Sequence, residues 1–577
     1  MAYLKLRAGL MRVHDGDPAP KKGEPEDKPL FASSDPRDRI LFAMVVFALA
    51  YVLIAGRLVV LGFTTDAPTI ARLTAADSVS AARPDLVDRN GEILATDIRT
   101  ASLYAEPRRI LDVDEAIELL SSVMPSLNTP QTRNYLASDA GFVWLKREIT
   151  PDQKRRIHNL GLPGIGFVDE NRRFYPGGPT ASHFLGHVNI DNEGIAGMEK
   201  FVDGEGLADL QAFGFANKER SLEPVPLSLD LRVQHVVRDE LTKAMERYKA
   251  VAAVGIVLNV HTGEVLGMSS LPDYDPNDPA LALQPDRLNR ATAGVFEMGS
   301  VFKSFNTAMA LDSGEIGLGD SFDASKPLRV RGNTITDFHG KHRVLTVPEI
   351  FIYSSNIGSA KMAEKVGVPG QKAFFKKVGM TDKLPGQLPE MARPMLPPRW
   401  DELTSMTIAF GHGIGVTPMH TAVAAAALMN GGKLIPPSFV PRSRKEAEKL
   451  AKQVISPETS DQMRYLFRLN CERGSGRRAE VPGYRVGGKT GTAEKIVNGR
   501  YVGNKRFNSF LSAFPIEDPQ YVVLIVIDEP KPEEGQYSAT AGLNAAPTVA
   551  AVIRRIAPML GVTPRFDMDS NTLLVSY

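Results

Sequence analysis

The 577-residue chain has one cysteine, Cys471. That excludes internal disulfides and any Cys-x-x-Cys metal or redox site. Its ten histidines show no His-Glu-x-x-His or similar ligand spacing, so no metal and no cofactor is expected. Charge is nearly balanced, 68 basic against 67 acidic residues, and a net +1 gives no footing for nucleic-acid binding. No repeat of 20–50 residues is present. A chain of this length exceeds one ordinary core, so two or more domains are expected. A lone cysteine with no electropositive neighbours in view reads as a buried structural residue.

One apolar run stands out. Residues 1–39 are polar and rich in proline, glycine and mixed charge, and are expected to be a disordered tail. Residues 40–56 are then unbrokenly apolar, and 58–63 extend the run past Arg57. Together 40–63 suffice to cross a hydrocarbon core of about 30 Å. Arg37 and Arg39 precede the run, which places the N-terminus in the cytoplasm and everything after Phe63 outside the membrane. The expectation is a single-pass anchor of the inner membrane, with the body in the periplasm. A cleaved signal peptide fits poorly, because 39 residues precede the run and no small-x-small site follows closely.

Residues 64–225 read as a mixed α+β module. Arg83–Ala95 contains two strands around an Asn90-Gly91 turn, a helix is expected over 112–124, and Gly141–Ile149 alternates as a strand. No catalytic constellation is visible there. Arg89, Lys146, Arg147 and Arg173 read as solvated or ion-paired residues rather than ligands. From 226 the pattern changes to an amphipathic helix over 231–248 and a hairpin of strands at 254–258 and 265–269. A long, mostly helical stretch follows to about 476. Strands are then expected at 484–492, 507–514 and 521–528, with a closing helix over 546–556. The last strand is almost wholly β-branched or aliphatic. This pattern predicts an α/β domain over 226–565 with a five-stranded sheet flanked by helices, followed by a tail at 566–577.

Three short motifs fall in this domain. Ser300-Val301-Phe302-Lys303 is the only Ser-x-x-Lys of the chain, and the apolar positions Phe302, Phe305 and Met309 put it at the start of a helix. Residues three apart share a helix face, so the Ser300 hydroxyl and Lys303 amine are neighbours. A serine hydroxyl needs such a base to become a nucleophile. The base in turn needs its pKa lowered by desolvation or nearby positive potential. Ser354-Ser355-Asn356 gives Ser-x-Asn, which alone reads equally as a turn or helix cap. Lys489-Thr490-Gly491-Thr492 follows on a strand. Their order, Ser-x-x-Lys, Ser-x-Asn, Lys-Thr-Gly, is shared by penicillin-binding proteins and serine β-lactamases.

With Asp88-Arg89-Asn90-Gly91, Arg173-Phe174-Tyr175-Pro176, Gly194–Glu199, Gly263–Met268, Tyr274–Asn277 and Phe410–Ile414, the chain resembles a class B penicillin-binding protein along nearly its whole length. It is most similar to the division-specific type. Met298 stands where that family more often has proline before Gly-Ser. The resemblance implies a membrane-proximal pedestal (dimerisation-like) domain and a transpeptidase domain, and an enzyme that crosslinks peptidoglycan stem peptides and is acylated by β-lactams. It implies Ser300 as nucleophile and Lys303 as the group that takes its proton. Ser354 would relay a proton or support Lys303, and Asn356 would hold Lys303 or the substrate amide. Lys489 would supply positive potential, and Thr490, Gly491 and Thr492 would bind substrate. The backbone N–H groups of Ser300 and Thr492 would form the oxyanion hole. Implied partners are the membrane, a polytopic glycosyltransferase (FtsW) and the division activator complex. Other readings are an elongation-specific transpeptidase, a β-lactam sensor and a catalytically inactive division scaffold.

Overall fold

The computed structural model describes residues 44–57, 83–204, 223–497 and 500–566. The chain divides into two units, 1–78 and 79–577. In the first unit, residues 44–57 form a helix with exposed apolar side chains. No helix among the described residues is long and apolar enough to cross a membrane. The rest of the expected 40–63 span lies outside the described residues, as do the expected tail at 1–39 and all but Phe566 of the expected tail at 566–577.

The second unit is a two-domain α/β structure. Its first domain is built on a sheet of β1 (Leu86–Val87), β2 (Ile93–Ala105), β3 (Val143–Ile149), β4 (Ile165–Phe174) and β5 (Val225–Pro226). The order is β3-β2-β1-β5, with β4 also on β2. The Asn90-Gly91 turn joins β1 to β2, as the sequence predicts. Helix α1 (Val113–Val123) begins at Asp112, whose carboxylate accepts from the N–H groups of Asp114 and Glu115. Among the charged residues, Arg173 is fully buried. Its Nε donates to Glu199 Oε1 at 2.7 Å and Nη1 to Asp97 at 3.1 Å, while Arg83 donates to the other Glu199 oxygen at 2.8 Å. Burial of two guanidiniums is tolerated because one carboxylate faces both.

The second domain holds a five-stranded antiparallel sheet of β6 (Ala252–Asn259), β7 (Val265–Leu271), β8 (Gly487–Val497), β9 (Arg500–Phe514) and β10 (Tyr521–Asp528), in the order β8-β9-β10-β6-β7. The hairpin and the three late strands are therefore one sheet, as the sequence pattern predicts. Strand β10 lies at its centre, and its alternate residues serve two cores. Val523, Ile525 and Ile527 pack with α2 (Leu231–Tyr248) and with the C-terminal helix Ala545–Met559. Val522, Leu524 and Val526 lie in the second core, on the face covered by the helix Pro418–Met429, a core to which Phe302 and Phe305 of α3 (Phe302–Asp312) also belong. Burial on both faces explains why β10 is apolar from Val522 to Ile527 instead of alternating. Each such side chain contributes about 1.5–3 kcal/mol. Helices α4 (Val347–Tyr353), α5 (Asn356–Lys377), α6 (Pro418–Met429) and α7 (Pro457–Arg473) complete the long insertion between β7 and β8. Cys471 lies buried on α7, and burial pushes its thiol pKa up, away from reactivity.

The domains meet through specific polar contacts. Asn277 accepts from Tyr175 N and donates to Tyr175 O, both at 3.0 Å, and Asp88 accepts from Leu231 N at 3.0 Å.

Candidate active site

Ser300 does not lie within the α-helix proper. It occupies a single 3-10 turn, Gly299–Val301, that runs straight into α3. Gly299 has φ +55°, and a Cβ on it would stand 2.9 Å from the Thr492 carbonyl oxygen. Glycine is needed there for both the dihedral and the close approach of the turn to β8. Gly491 has the matching role on the strand, where a Cβ would come 2.6 Å from the Met298 carbonyl oxygen. Met298 itself is fully buried in the core, so it acts on the turn through packing and backbone.

Lys303 follows one turn later, 1% exposed. Its Nζ is 3.0 Å from Ser300 Oγ, 2.6 Å from the Ser354 carbonyl oxygen, 3.0 Å from Ser354 Oγ and 2.7 Å from Asn356 Oδ1. Asn356 Nδ2 donates to the Thr336 carbonyl at 2.9 Å, which fixes the amide orientation and presents Oδ1 to the lysine. The Ser354 carbonyl and Asn356 Oδ1 can only accept. A neutral amine gives them its two N–H groups and keeps one lone pair, which faces the Ser300 and Ser354 hydroxyls. Burial holds the Lys303 pKa well below the ordinary lysine range, and the charge of Lys489 pushes it the same way against the opposing pull of Asp337.

Ser354 ends α4 with left-handed backbone, φ 57°. Such backbone in a serine costs of order 1–3 kcal/mol. It turns both the carbonyl and the hydroxyl of Ser354 toward Lys303. Ser355 then starts α5, its hydroxyl accepting from Gly358 N at 3.0 Å, so Ser355 caps a helix while Ser354 faces Lys303. Lys489 is fully buried on β8, with Nζ 3.1 Å from Ser354 Oγ and 5.8 Å from the Phe351 ring centre. Burial lowers its pKa to about 7. Thr490 Oγ1 lies 2.6 Å from Ser475 Oγ, and Thr492 Oγ1 accepts from Ala541 N at 3.3 Å.

The fold thus brings Ser300, Lys303, Ser354, Asn356 and Lys489 into one hydrogen-bonded cluster, with Thr490, Gly491 and Thr492 on the adjoining strand. Several neighbours carry no sequence signal. Asp337 accepts from Ser355 Oγ at 2.7 Å, Asn356 N at 2.6 Å and Ile357 N at 3.0 Å, so it anchors the Ser-x-Asn turn. Asn470 Nδ2 donates to the Gly488 carbonyl at 2.7 Å. Glu297 accepts from Gly413 N at 2.7 Å and from Tyr501 at 3.2 Å. His412 Nδ1 is 3.5 Å from Glu297, but burial and the charge of Lys303 lower its pKa to about 4, so this contact is dipolar and not an ion pair near neutral pH. No group of three or more His, Cys, Asp or Glu among the described residues is arranged to hold a metal.

The penicillin binding protein transpeptidase domain family matches residues 253–554, and the penicillin-binding protein dimerisation domain family matches residues 78–205. The chain is 40% identical to the probable peptidoglycan D,D-transpeptidase FtsI of Caulobacter vibrioides, over 85% of this chain and 84% of that protein. It is 31% identical to the probable peptidoglycan D,D-transpeptidase PenA of Neisseria meningitidis, over 85% of this chain and 87% of that protein. A peptidoglycan synthetase from Bifidobacterium adolescentis has the same fold, with a TM-score of 0.64 and 22% identity over 85% of this chain and 97% of that one. With a dimerisation domain followed by a transpeptidase domain, the chain belongs to the class B penicillin-binding proteins.

Proposed function

We propose that the chain is a serine D,D-transpeptidase that crosslinks peptidoglycan stem peptides through an acyl-enzyme on Ser300, in cell division. The observation that carries this reading is the pairing of Ser300 Oγ with a buried Lys303 whose two N–H groups are already engaged.

Ser300 attacks the carbonyl carbon of the penultimate D-Ala of a D-Ala-D-Ala stem. Its proton passes to the Lys303 lone pair. The backbone N–H groups of Ser300 and Thr492 stabilise the oxyanion, at about 3–4 kcal/mol per donor. The Thr490 and Thr492 hydroxyls hold the terminal carboxylate, and Lys489 supplies positive potential near Ser354. As the C–N bond breaks, the departing D-Ala nitrogen takes a proton from Lys303 through the Ser354 hydroxyl. Asn356 keeps Lys303 aligned in both states. The amine of a neighbouring stem peptide then attacks the ester, gives up a proton by the reverse route and releases Ser300. A β-lactam acylates the same serine.

The division assignment rests on likeness to proteins named FtsI. With it go a single-pass inner-membrane anchor at 40–63, a periplasmic body, and contacts of the anchor and pedestal with a polytopic FtsW-type glycosyltransferase and the division activator complex. Labelling with a reporter penicillin followed by peptide mapping tests the chemistry. Label on Ser300, lost in Ser300→Ala, is expected, and label elsewhere overturns the assignment. A fluorescent fusion at midcell supports the division role, whereas a lateral-wall distribution favours elongation.

A further inference from the structure

Ser300 lies between two walls. One is β8, which carries Lys489, Thr490 and Thr492. The other is the turn between α4 and α5, where Ser354 Oγ stands 3.1 Å from Lys489 Nζ. Beside that turn runs a loop, 336–343, that is held at both ends. Its flanking strands, Asn333–Ile335 and Val344–Thr346, bury Ile335 and Leu345 in one core. Thr336 and Asp337 fasten it to Asn356 and Ser355. The residues after Asp337 turn out to solvent. Phe338 is 72% exposed, its ring centre 4.4 Å from that of His339. Lys341 Nζ lies 4.7 Å from the ring centre of Tyr353, the exposed residue next to Ser354.

We propose that this rim, Tyr353 with Phe338 and Lys341, is the subsite for the acceptor peptide, and that Lys341 reads the acceptor's C-terminal carboxylate. The inference rests on the transpeptidase reading and names where the second substrate of that same site binds.

Position follows from the chemistry. In the proposed mechanism the leaving D-Ala nitrogen takes its proton from the Ser354 hydroxyl, so it departs beside Ser354. The acceptor amine must enter at the same point. There it forms the new C–N bond as the ester bond to Ser300 breaks, and its proton passes through Ser354 and Lys303 to Ser300 Oγ. Strand β8 is taken by the donor, whose terminal carboxylate Thr490 and Thr492 hold before cleavage. The surface left for a second peptide begins at Tyr353 and continues onto the loop.

Charge and exposure decide what this surface takes. Arg343 is occupied by Glu349 at 2.7 Å. Lys341 forms no ion pair among the described residues, and its ammonium rests over the Tyr353 ring. An ammonium placed this way has N–H donors left for an anion. A peptide that brings a free side-chain amine to the ester also ends in a carboxylate, which is the complementary group. Phe338 adds an aromatic face that the fold leaves open, at the end of an anchored segment, and it suits the methyl and methylene groups of the same peptide.

The test uses the full chain in detergent micelles, with a D-alanyl thioester as donor. Two acceptors are compared, a synthetic stem tetrapeptide with a free side-chain amine at position three and the same peptide as its C-terminal carboxamide. Liquid chromatography reads the ratio of transfer product to enzymatically hydrolysed donor within each sample. At limiting acceptor the wild-type chain is expected to give a ratio about 3–5-fold higher with the carboxylate, the scale of one exposed ion pair. Lys341→Glu is expected to reverse that preference, and Lys341→Arg to keep it. Phe338→Ala is expected to lower transfer to both acceptors. Equal wild-type transfer to the two acceptors overturns the subsite. So does a preference that persists in Lys341→Glu, which would place the carboxylate elsewhere, or unaltered transfer in Phe338→Ala. The wild-type comparison decides even if a variant fails to fold. Failure of penicillin to label Ser300 counts against the transpeptidase reading itself. Labelling with no preference between the acceptors removes only the subsite.

Discussion

Lys303 and Lys489 reach the same hydroxyl, their Nζ atoms lying 3.0 and 3.1 Å from Ser354 Oγ. Two buried amines this close cannot both carry a charge cheaply. In the proposed mechanism one is kept neutral as a base while the other supplies positive potential, and Ser354 joins them as a proton conduit.

Replacing Lys303 by arginine keeps the charge but removes the base, because a guanidinium does not deprotonate in proteins. Penicillin acylation of Lys303→Arg is expected to fall by roughly 10²–10⁴-fold, the range of a general base. Stopped-flow measurement with a reporter penicillin reads this directly, and near wild-type acylation would show that Lys303 is not the base.

The pH profile follows from the same pair. Acylation needs neutral Lys303, so it rises with pH through a pKa held well below the usual lysine value. It needs charged Lys489, so it falls as pH passes that group, placed at about 7 in the free enzyme. The expected second-order rate constant of acylation is bell-shaped, with both limbs below the free-lysine value of about 10.4. Because the folded pKa of Lys303 lies below its unfolded value, the unfolded chain binds more protons between the two. Stability should therefore rise with pH across that window, relieving a penalty that is complete below the folded pKa. Chemical denaturation at stepped pH checks the sign.

Asp337→Ala removes the acceptor shared by Ser355 Oγ and the N–H groups of Asn356 and Ile357. Leaving such groups unsatisfied costs about 1–3 kcal/mol each when buried. The variant is expected to fold with a lowered melting temperature and to acylate more slowly, since Asn356 loses its anchor. Unaltered acylation would show that the Ser-x-Asn turn holds itself.

At Gly491 even a methyl group meets the Met298 carbonyl. Gly491→Ala should push β8 from the Ser300 turn and lower acylation strongly while thermal stability changes modestly. Calorimetry beside penicillin labelling separates the two effects.

In the pedestal, Glu199→Ala leaves the buried guanidiniums of Arg83 and Arg173 without their shared carboxylate. Breaking one side of a buried pair costs about 3–5 kcal/mol. A large loss of stability is expected, and a fall below 1 kcal/mol would mean that Asp97 and Asp203 suffice.

The sequence by itself determined a good deal. A continuous β-branched and aliphatic run located β10, an amphipathic pattern located α2, and the strand-like segments gave the five-strand count, because composition follows burial. The three motifs named Ser300, Lys303, Ser354, Asn356 and Lys489, since their chemistry demands those residue types in that order. Other features belong to tertiary structure alone. Asp337 is 18, 19 and 20 residues from the groups it anchors. Glu494 and Arg399 border one cleft from distant segments. The expectation of a plain helix start at Ser300 became a 3-10 turn, because Gly299 must let β8 approach. The reading of Arg173 as a solvated or paired charge resolved to full burial against Glu199. Motifs record which atoms react. Their protonation depends on desolvation and on charges brought from elsewhere in the chain, and only the folded arrangement of Lys303, Lys489 and Asp337 sets those.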